Sequence, residues 1–301
     1  MENKNINFNK YFKFLNLVSI IFVTVSILLL FFKGLNFGVD FKGGTLIELR
    51  VTNEQITISQ LRKSFLKMNI GDVNIKKFGQ DNDFLVKIEK KAVNNINFIE
   101  EIKTNLIKSV GPGFNFRRVE NVGPKVSSEL LKSGVLAILM ALGAMLFYIW
   151  IRFEWQFSLG AIAALFHDVI LTLGIFSLFN FEINLSIVAA VLTIVGYSMN
   201  DTVVIFDRVR ENLKKYSDLK IFDLTNKSIN DTLSRTIITS ITTLLALTSI
   251  YIFGGEILKG FSFAMILGVI FGTYSSIYIA NPILILLNVS QKTVSKEEDK
   301  G

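Results

Sequence analysis

Six stretches of about 20 apolar residues dominate this chain, each long enough to cross roughly 30 Å of hydrocarbon as a helix rising about 1.5 Å per residue. They cover approximately residues 15–32, 133–151, 157–179, 184–206, 236–254 and 261–288. In lipid a backbone must satisfy its own polar groups, so runs of this length are read as helices. A composition that is 50% hydrophobic and a mean hydropathy of +0.47 agree with the membrane class.

The formal charge of +7 raises the question of nucleic acid, and the placement of the charges answers it. Lys4, Lys10 and Lys13 precede the first stretch, and Arg152 separates the second from the third. Arg208, Arg210, Lys214, Lys215, Lys220, Lys227 and Arg235 lie between the fourth and fifth, and Lys292, Lys296 and Lys300 end the chain. The links 180–183 and 254–260 offer only Lys259. That asymmetry predicts a multi-pass protein with both termini in the cytoplasm, and no nucleic-acid partner. The first stretch is longer than a secretory signal core, and Lys33-Gly34-Leu35-Asn36 follows it in place of a small-x-small cleavage site, so it reads as a retained anchor. Without cysteine, disulfides and thiolate metal sites are excluded.

The expected plan is a cytoplasmic N-terminus over 1–14, an external α+β domain over 33–132, a five-helix bundle over 133–288 and a cytoplasmic tail over 289–301. TLIELRV (45–51) alternates like a strand, and ISQLRKSFLKM (58–68) has helical spacing. DVNIKKF (72–78) and DFLVKIE (83–89) flank the polar turn FGQDND as a hairpin. INFIEEIKTNLIKSV (96–110) reads as a helix stopped by Gly111-Pro112, and FNFRRVE (114–120) as a last strand. The order βαββαβ predicts a small ferredoxin-like sandwich on the periplasmic side. Residues 207–235 are expected as a mixed-charge cytoplasmic loop holding one or two interfacial helices. In the sixth span Gly268, Gly272 and Ser276 recur one turn apart, small residues that let helices approach closely.

Polar groups inside the spans carry the chemistry. An aspartate at a helix centre costs roughly 2.5–3.5 kcal/mol to insert, so it needs a partner or a purpose. Asp168 lies halfway along the third span, and Asp201 lies about six residues, or roughly 9 Å, inside the cytoplasmic end of the fourth. Thr193, Tyr197 and either Asn200 or Asp201 share one helical face. Thr232, Thr236, Thr239 and Thr243 repeat the pattern on the fifth span, where Arg235 enters beside them and can reach toward Asp201. His167, the single histidine, adjoins Asp168, with Thr172 one turn on. The bland reading is that hydroxyls bond the preceding turn, His167 makes a structural hydrogen bond and the aspartates glue helices together. Low dielectric favours a neutral carboxyl and a nearby guanidinium favours the carboxylate, so movement of Arg235 would switch a proton on Asp201. Asp201 is therefore the candidate proton carrier, and Asp168 stands between glue and relay.

No nucleotide-binding loop, G-x-S-x-G or H-E-x-x-H occurs, which argues against nucleotide-driven transport and familiar hydrolysis. The aspartate pair without a Gly-x-Gly-Asp setting disfavours an intramembrane protease. No enzyme activity and no cofactor beyond protons as a coupling ion are expected.

FGVDFKGGT (37–45), VENVGPKVSSEL (119–130), HDVILTLG (167–174), GYSMNDTVVIFDRVREN (196–212), SRTIITSITTLLAL (234–247) and GTYSSIYIANP (272–282) closely resemble the SecF family, within the resistance-nodulation-division superfamily. The resemblance implies a bacterial inner-membrane subunit that pairs with SecD, assists the SecYEG channel, with YajC as a further partner, and uses the proton-motive force to complete export of preproteins. It implies a proton-coupling role for Asp201 and maps the arginine opening the fifth span to Arg235. Asp40, Gly43 and Gly44 belong to a characteristic motif just outside the first span, where Gly38, Gly43 and Gly44 also suit a turn into the first strand. Arg208 belongs to a motif and also fits a cytoplasmic edge. Two alternatives stay open: a half-size proton-driven exporter of small molecules or lipids, and a purely structural subunit.

Overall fold

The computed structural model describes residues 5–52, 56–78, 80–89, 98–216, 218–291 and 293. In chain order they form helix α1 (Phe12–Phe32), strand β1 (Asn36–Phe37), a helical turn α2 (Val39–Lys42), β2 (Gly44–Val51), α3 (Ile58–Lys67), β3 (Asp72–Phe78), β4 (Gln80–Glu89), α4 (Phe98–Val110) and β5 (Phe114–Val122). There follow α5 (Pro124–Arg152), α6 (Trp155–Leu178), β6 (Glu182–Ile183), α7 (Leu185–Lys215), α8 (Ile221–Phe253), α9 (Glu256–Ser275), a π-helical turn (Ser276–Ala280) and α10 (Asn281–Leu286). The chain divides into two compact units, one of residues 37–136 with 182–185 and one of the remaining described residues.

In the α/β unit the sheet order is β3-β4-β2-β5 with every neighbouring pair antiparallel. Alternation along β2 sends Thr45, Ile47, Leu49 and Val51 to one buried face. There they meet Val86 and Ile88 of β4 and the apolar stripes Leu61/Phe65 of α3 and Ile102/Leu106 of α4. The α3 start is a capping box, in which Thr57 and Gln60 satisfy each other's backbone N–H groups. The second strand of the hairpin is longer than its polar residues suggest. β4 begins at Gln80, so Asp81 and Asn82 extend the strand instead of forming the turn. Helix α4 is described from Phe98, and the first two residues of the expected 96–110 helix lie outside the described residues.

Among the described residues, six helices are long and apolar enough to cross a membrane. About half of the most apolar window is buried in α6, α7 and the last span, against 11–17% in α1, α5 and α8, so the first three make the inner layer. The helices expected within 207–235 are there as continuations of the neighbouring spans. Helix α7 continues to Lys215 and α8 starts at Ile221, which leaves only 216–220 as the link. Charged sequence stays helical here because Val209 and Leu213 of α7 keep an apolar stripe that packs with Leu224 and Ile229 of α8. The last span is interrupted at Ser276–Ala280, just before Pro282. Proline has no N–H to donate and its ring crowds the preceding turn, so the helix widens. Asn281 Nδ2 donates to the Ser276 carbonyl at 2.7 Å across that turn.

Candidate functional site in the helix bundle

A ladder of polar contacts sets α7 and α8 in antiparallel register. Tyr197 Oη donates to the Thr239 carbonyl at 3.3 Å, Arg208 Nε to Asp231 at 2.8 Å, and Asn212 Nδ2 to Ser228 Oγ at 2.9 Å. Between the first two rungs this register brings Asp201 opposite Arg235 and Thr236. Asp201 is 3% exposed, and both its Oδ2 and the Thr236 hydroxyl are buried without a hydrogen-bond partner. The Arg235 guanidinium is the cation whose charge acts on Asp201, yet among the described residues no ion pair within 4.0 Å joins them. Arg235 itself is exposed, as are Thr193 and Asn200. Asn200 therefore points away from the buried carboxylate, because Asn200 and Asp201 are one residue, about 100° of helix, apart.

Asp168 has the opposite character, being fully buried with every carboxylate oxygen engaged. Its Oδ2 accepts from Ser198 Oγ of α7 at 2.5 Å and Ser275 Oγ of α9 at 2.8 Å, and its Oδ1 lies 2.8 Å from His167 Nδ1. Thr172 donates to the Asp168 backbone carbonyl. His167 stacks on Tyr274, with ring centroids 5.8 Å apart, and its Nε2 is buried and unpartnered. Small residues make this convergence sterically feasible. A Cβ on Gly268 would run into Ile194, and one on Gly272 would sit 3.0–3.1 Å from the Ser198 backbone and Cβ. Among the described residues no cluster of His, Asp and Glu could hold a metal ion.

In the α/β unit, Gly43 (φ 78°) and Gly44 (φ 134°) occupy backbone conformations that side chains disfavour. At Gly44 a Cβ would overlap the Ile88 carbonyl of the neighbouring strand. Asp40, on the short α2 turn between Gly38 and Gly43, turns its Oδ2 to accept the Leu185 N–H at 2.9 Å, the first amide of α7. A residue remote in sequence thus caps the helix that carries Asp201.

The family model described as "Protein export membrane protein SecD/SecF, C-terminal" matches residues 102–290, and the SecD/SecF GG motif matches residues 28–54. The chain belongs to the SecD/SecF protein export family. It is 43% identical over 291 residues to the protein translocase subunit SecF of Cereibacter sphaeroides, covering 94% of this chain and 90% of that protein. The SecF of Calditerrivibrio nitroreducens is 42% identical, with 97% of each chain covered. The crystal structure of SecDF from Thermus thermophilus, a translocon-associated membrane protein, superposes with a TM-score of 0.83 at 34% identity over 94% of this chain. This chain spans 38% of that longer one. A SecDF structure in a super-membrane-facing form gives a TM-score of 0.70 at 32% identity and is spanned to 40%. Because the matched near-full-length relatives are translocase subunits, the exporter alternative is not favoured.

Within the SecD/SecF frame, the motif around Arg208 is a clasp. Arg208 bonds Asp231 of α8 and Glu211 of its own helix at 2.8 and 2.6 Å, and Asp207 pairs with Arg152 at 2.7 Å. Sequence reading missed Glu154, which is 3% exposed and lies 3.1 Å from Arg210, and it missed Ser198 and Ser275 altogether. Serines are common in membrane helices, and nothing local marks the two that converge on one carboxylate.

Proposed function

We propose that this SecD/SecF-family chain is a SecF-type auxiliary subunit of the preprotein translocase, working with a SecD partner at the SecYEG channel to draw on the proton-motive force. YajC is a further candidate partner, and the translocating preprotein is the client. The α/β unit is a ferredoxin-like sandwich on the periplasmic side, and both termini lie in the cytoplasm. Asp201 carries the proton, Arg235 gates it, and Tyr197 fixes the helix pair between them.

The observation that carries this reading is a buried carboxylate oxygen without a partner, set opposite an arginine that is near but unpaired. Such a carboxylate is favoured protonated by an apolar setting and ionised by a guanidinium, so movement of the guanidinium switches it. A membrane potential acting on one charge supplies about 2.3 kcal/mol per 100 mV, enough to bias such a switch. In membranes containing the assembled complex, Asp201→Asn should abolish proton-dependent stimulation of export while the complex still forms. Normal stimulation in that variant sinks the assignment, and full function of an Asp201→Asn, Arg235→Gln double variant would favour a purely structural subunit.

A further inference from the structure

Asp168 is a buried ionisable group that the proton site does not use, and its surroundings define a different job. It sits on α6 at the junction with α7 and α9, where one oxygen receives a hydroxyl from each of the other two helices. Ser198 is 1% exposed and Ser275 fully buried, so the node is sealed by protein on the sides the two hydroxyls occupy. Ser198 precedes Asp201 by three residues, just under one turn of the same helix. Ser275 is the last α-helical residue before the π-helical turn. The groups facing the carboxylate are therefore His167 on its own helix and the two serines, with Tyr274 stacked on the imidazole.

Hydrogen counting restricts what this node does. A serine has one proton to donate; Ser198 directs its own to Oδ2 at 2.5 Å, while Ser275 Oγ has both Oδ2 at 2.8 Å and the Gly272 carbonyl at 3.2 Å within reach, the carboxylate being the nearer. The remaining proton lies between Oδ1 and His167 Nδ1 and satisfies both whichever atom holds it. Each oxygen of the carboxyl group thus has a partner within hydrogen-bond distance. Asp201, with an unpartnered Oδ2, differs on that point.

We propose that Asp168 is a positioning residue for the proton site: with Ser198 and Ser275 it locks the rotation of α7 against α6 and α9, and so fixes where Asp201 stands relative to Arg235. The inference rests on the reading of Asp201 given above. Gly272 belongs to the same device, since its missing side chain allows Ser198 close enough to α9 for both hydroxyls to reach one oxygen. An asparagine replaces the carboxylate faithfully here, because its amide oxygen accepts from both serines and its NH₂ can donate to His167 Nδ1.

The test is proton-driven export by the assembled complex in reconstituted vesicles, measured against pH for Asp168→Asn, for Ser198→Ala with Ser275→Ala, and for Asp201→Asn. Positioning predicts that Asp168→Asn keeps most of the stimulation. The double serine variant should lose about tenfold, as misplacement by a fraction of an ångström does, and its pH midpoint should shift while the amount of assembled complex stays normal. An inactive Asp168→Asn complex that assembles normally overturns the proposal and makes Asp168 a proton carrier. A double serine variant with the parent's rate and pH midpoint also overturns it. If Asp201→Asn is dead in the same vesicles, either failure belongs to this inference alone, whereas an active Asp201→Asn refutes the reading beneath it.

Discussion

Single side chains in this protein are set by what their neighbours leave unsatisfied. Two buried aspartates differ because one has a partner on each carboxylate oxygen and the other has an oxygen without one. The glycines divide in the same way. Gly44→Ala forces both a positive φ and a clash with the Ile88 carbonyl at the centre of the sheet, so it should cost about 1–3 kcal/mol. Gly143→Ala meets nothing within 4 Å on a helix and should be neutral or stabilise by about 0.5–1 kcal/mol. Thermal unfolding of the full chain in detergent separates the two, with a lowered midpoint for the first only.

At the scale of elements, helix ends and helix faces decide most of the geometry. Asp40 caps α7 from the turn after α1, so Asp40→Leu should lose about 0.5–2 kcal/mol and Asp40→Asn much less, since asparagine caps almost as well as aspartate. Melting midpoints of the two variants check the order. Gly272→Leu should separate α7 from α9 and break the Ser198 and Ser275 contacts to Asp168 together, because its side chain would occupy the space of the Ser198 backbone. Loss of proton-dependent export alongside a lower midpoint is the expected result. The helices were legible from apolar runs because the bilayer demands about 20 such residues in a row. Their true lengths were not, since α7 and α8 outrun the apolar segments by using an amphipathic stripe and a cross-helix ladder of Arg208, Asp231, Asn212 and Ser228.

Across the whole molecule, the N-terminal segment is tied to the lower part of α8. Phe8 and Ile6 donate their backbone N–H groups to Asn226 and Asn230, which return bonds to the Ile6 carbonyl. The N-terminus and the basic α7–α8 link therefore share one side of the bundle, as the charge asymmetry requires. Because the chain has no cysteine, single cysteines can test its orientation directly. A membrane-impermeant maleimide should label Asn115→Cys from the periplasmic side and Lys215→Cys only after the membrane is opened; the reverse pattern would invert the topology.

The sequence by itself determined the membrane class, the six spans, the order of strands and helices in the α/β unit, and the aspartates that demand explanation. Each of these follows from a local regularity: the length of an apolar run, a period of two or of 3.6, or a charge where solvation is costly. Only the tertiary structure decided what those aspartates face. Whether Ser198 meets Asp168 or Arg235 stops short of Asp201 depends on helix rotations and on close approach at Gly268 and Gly272, and packing between helices distant in sequence sets both. A carboxylate inside a membrane is legible in one dimension, and its state depends on neighbours that only three dimensions supply.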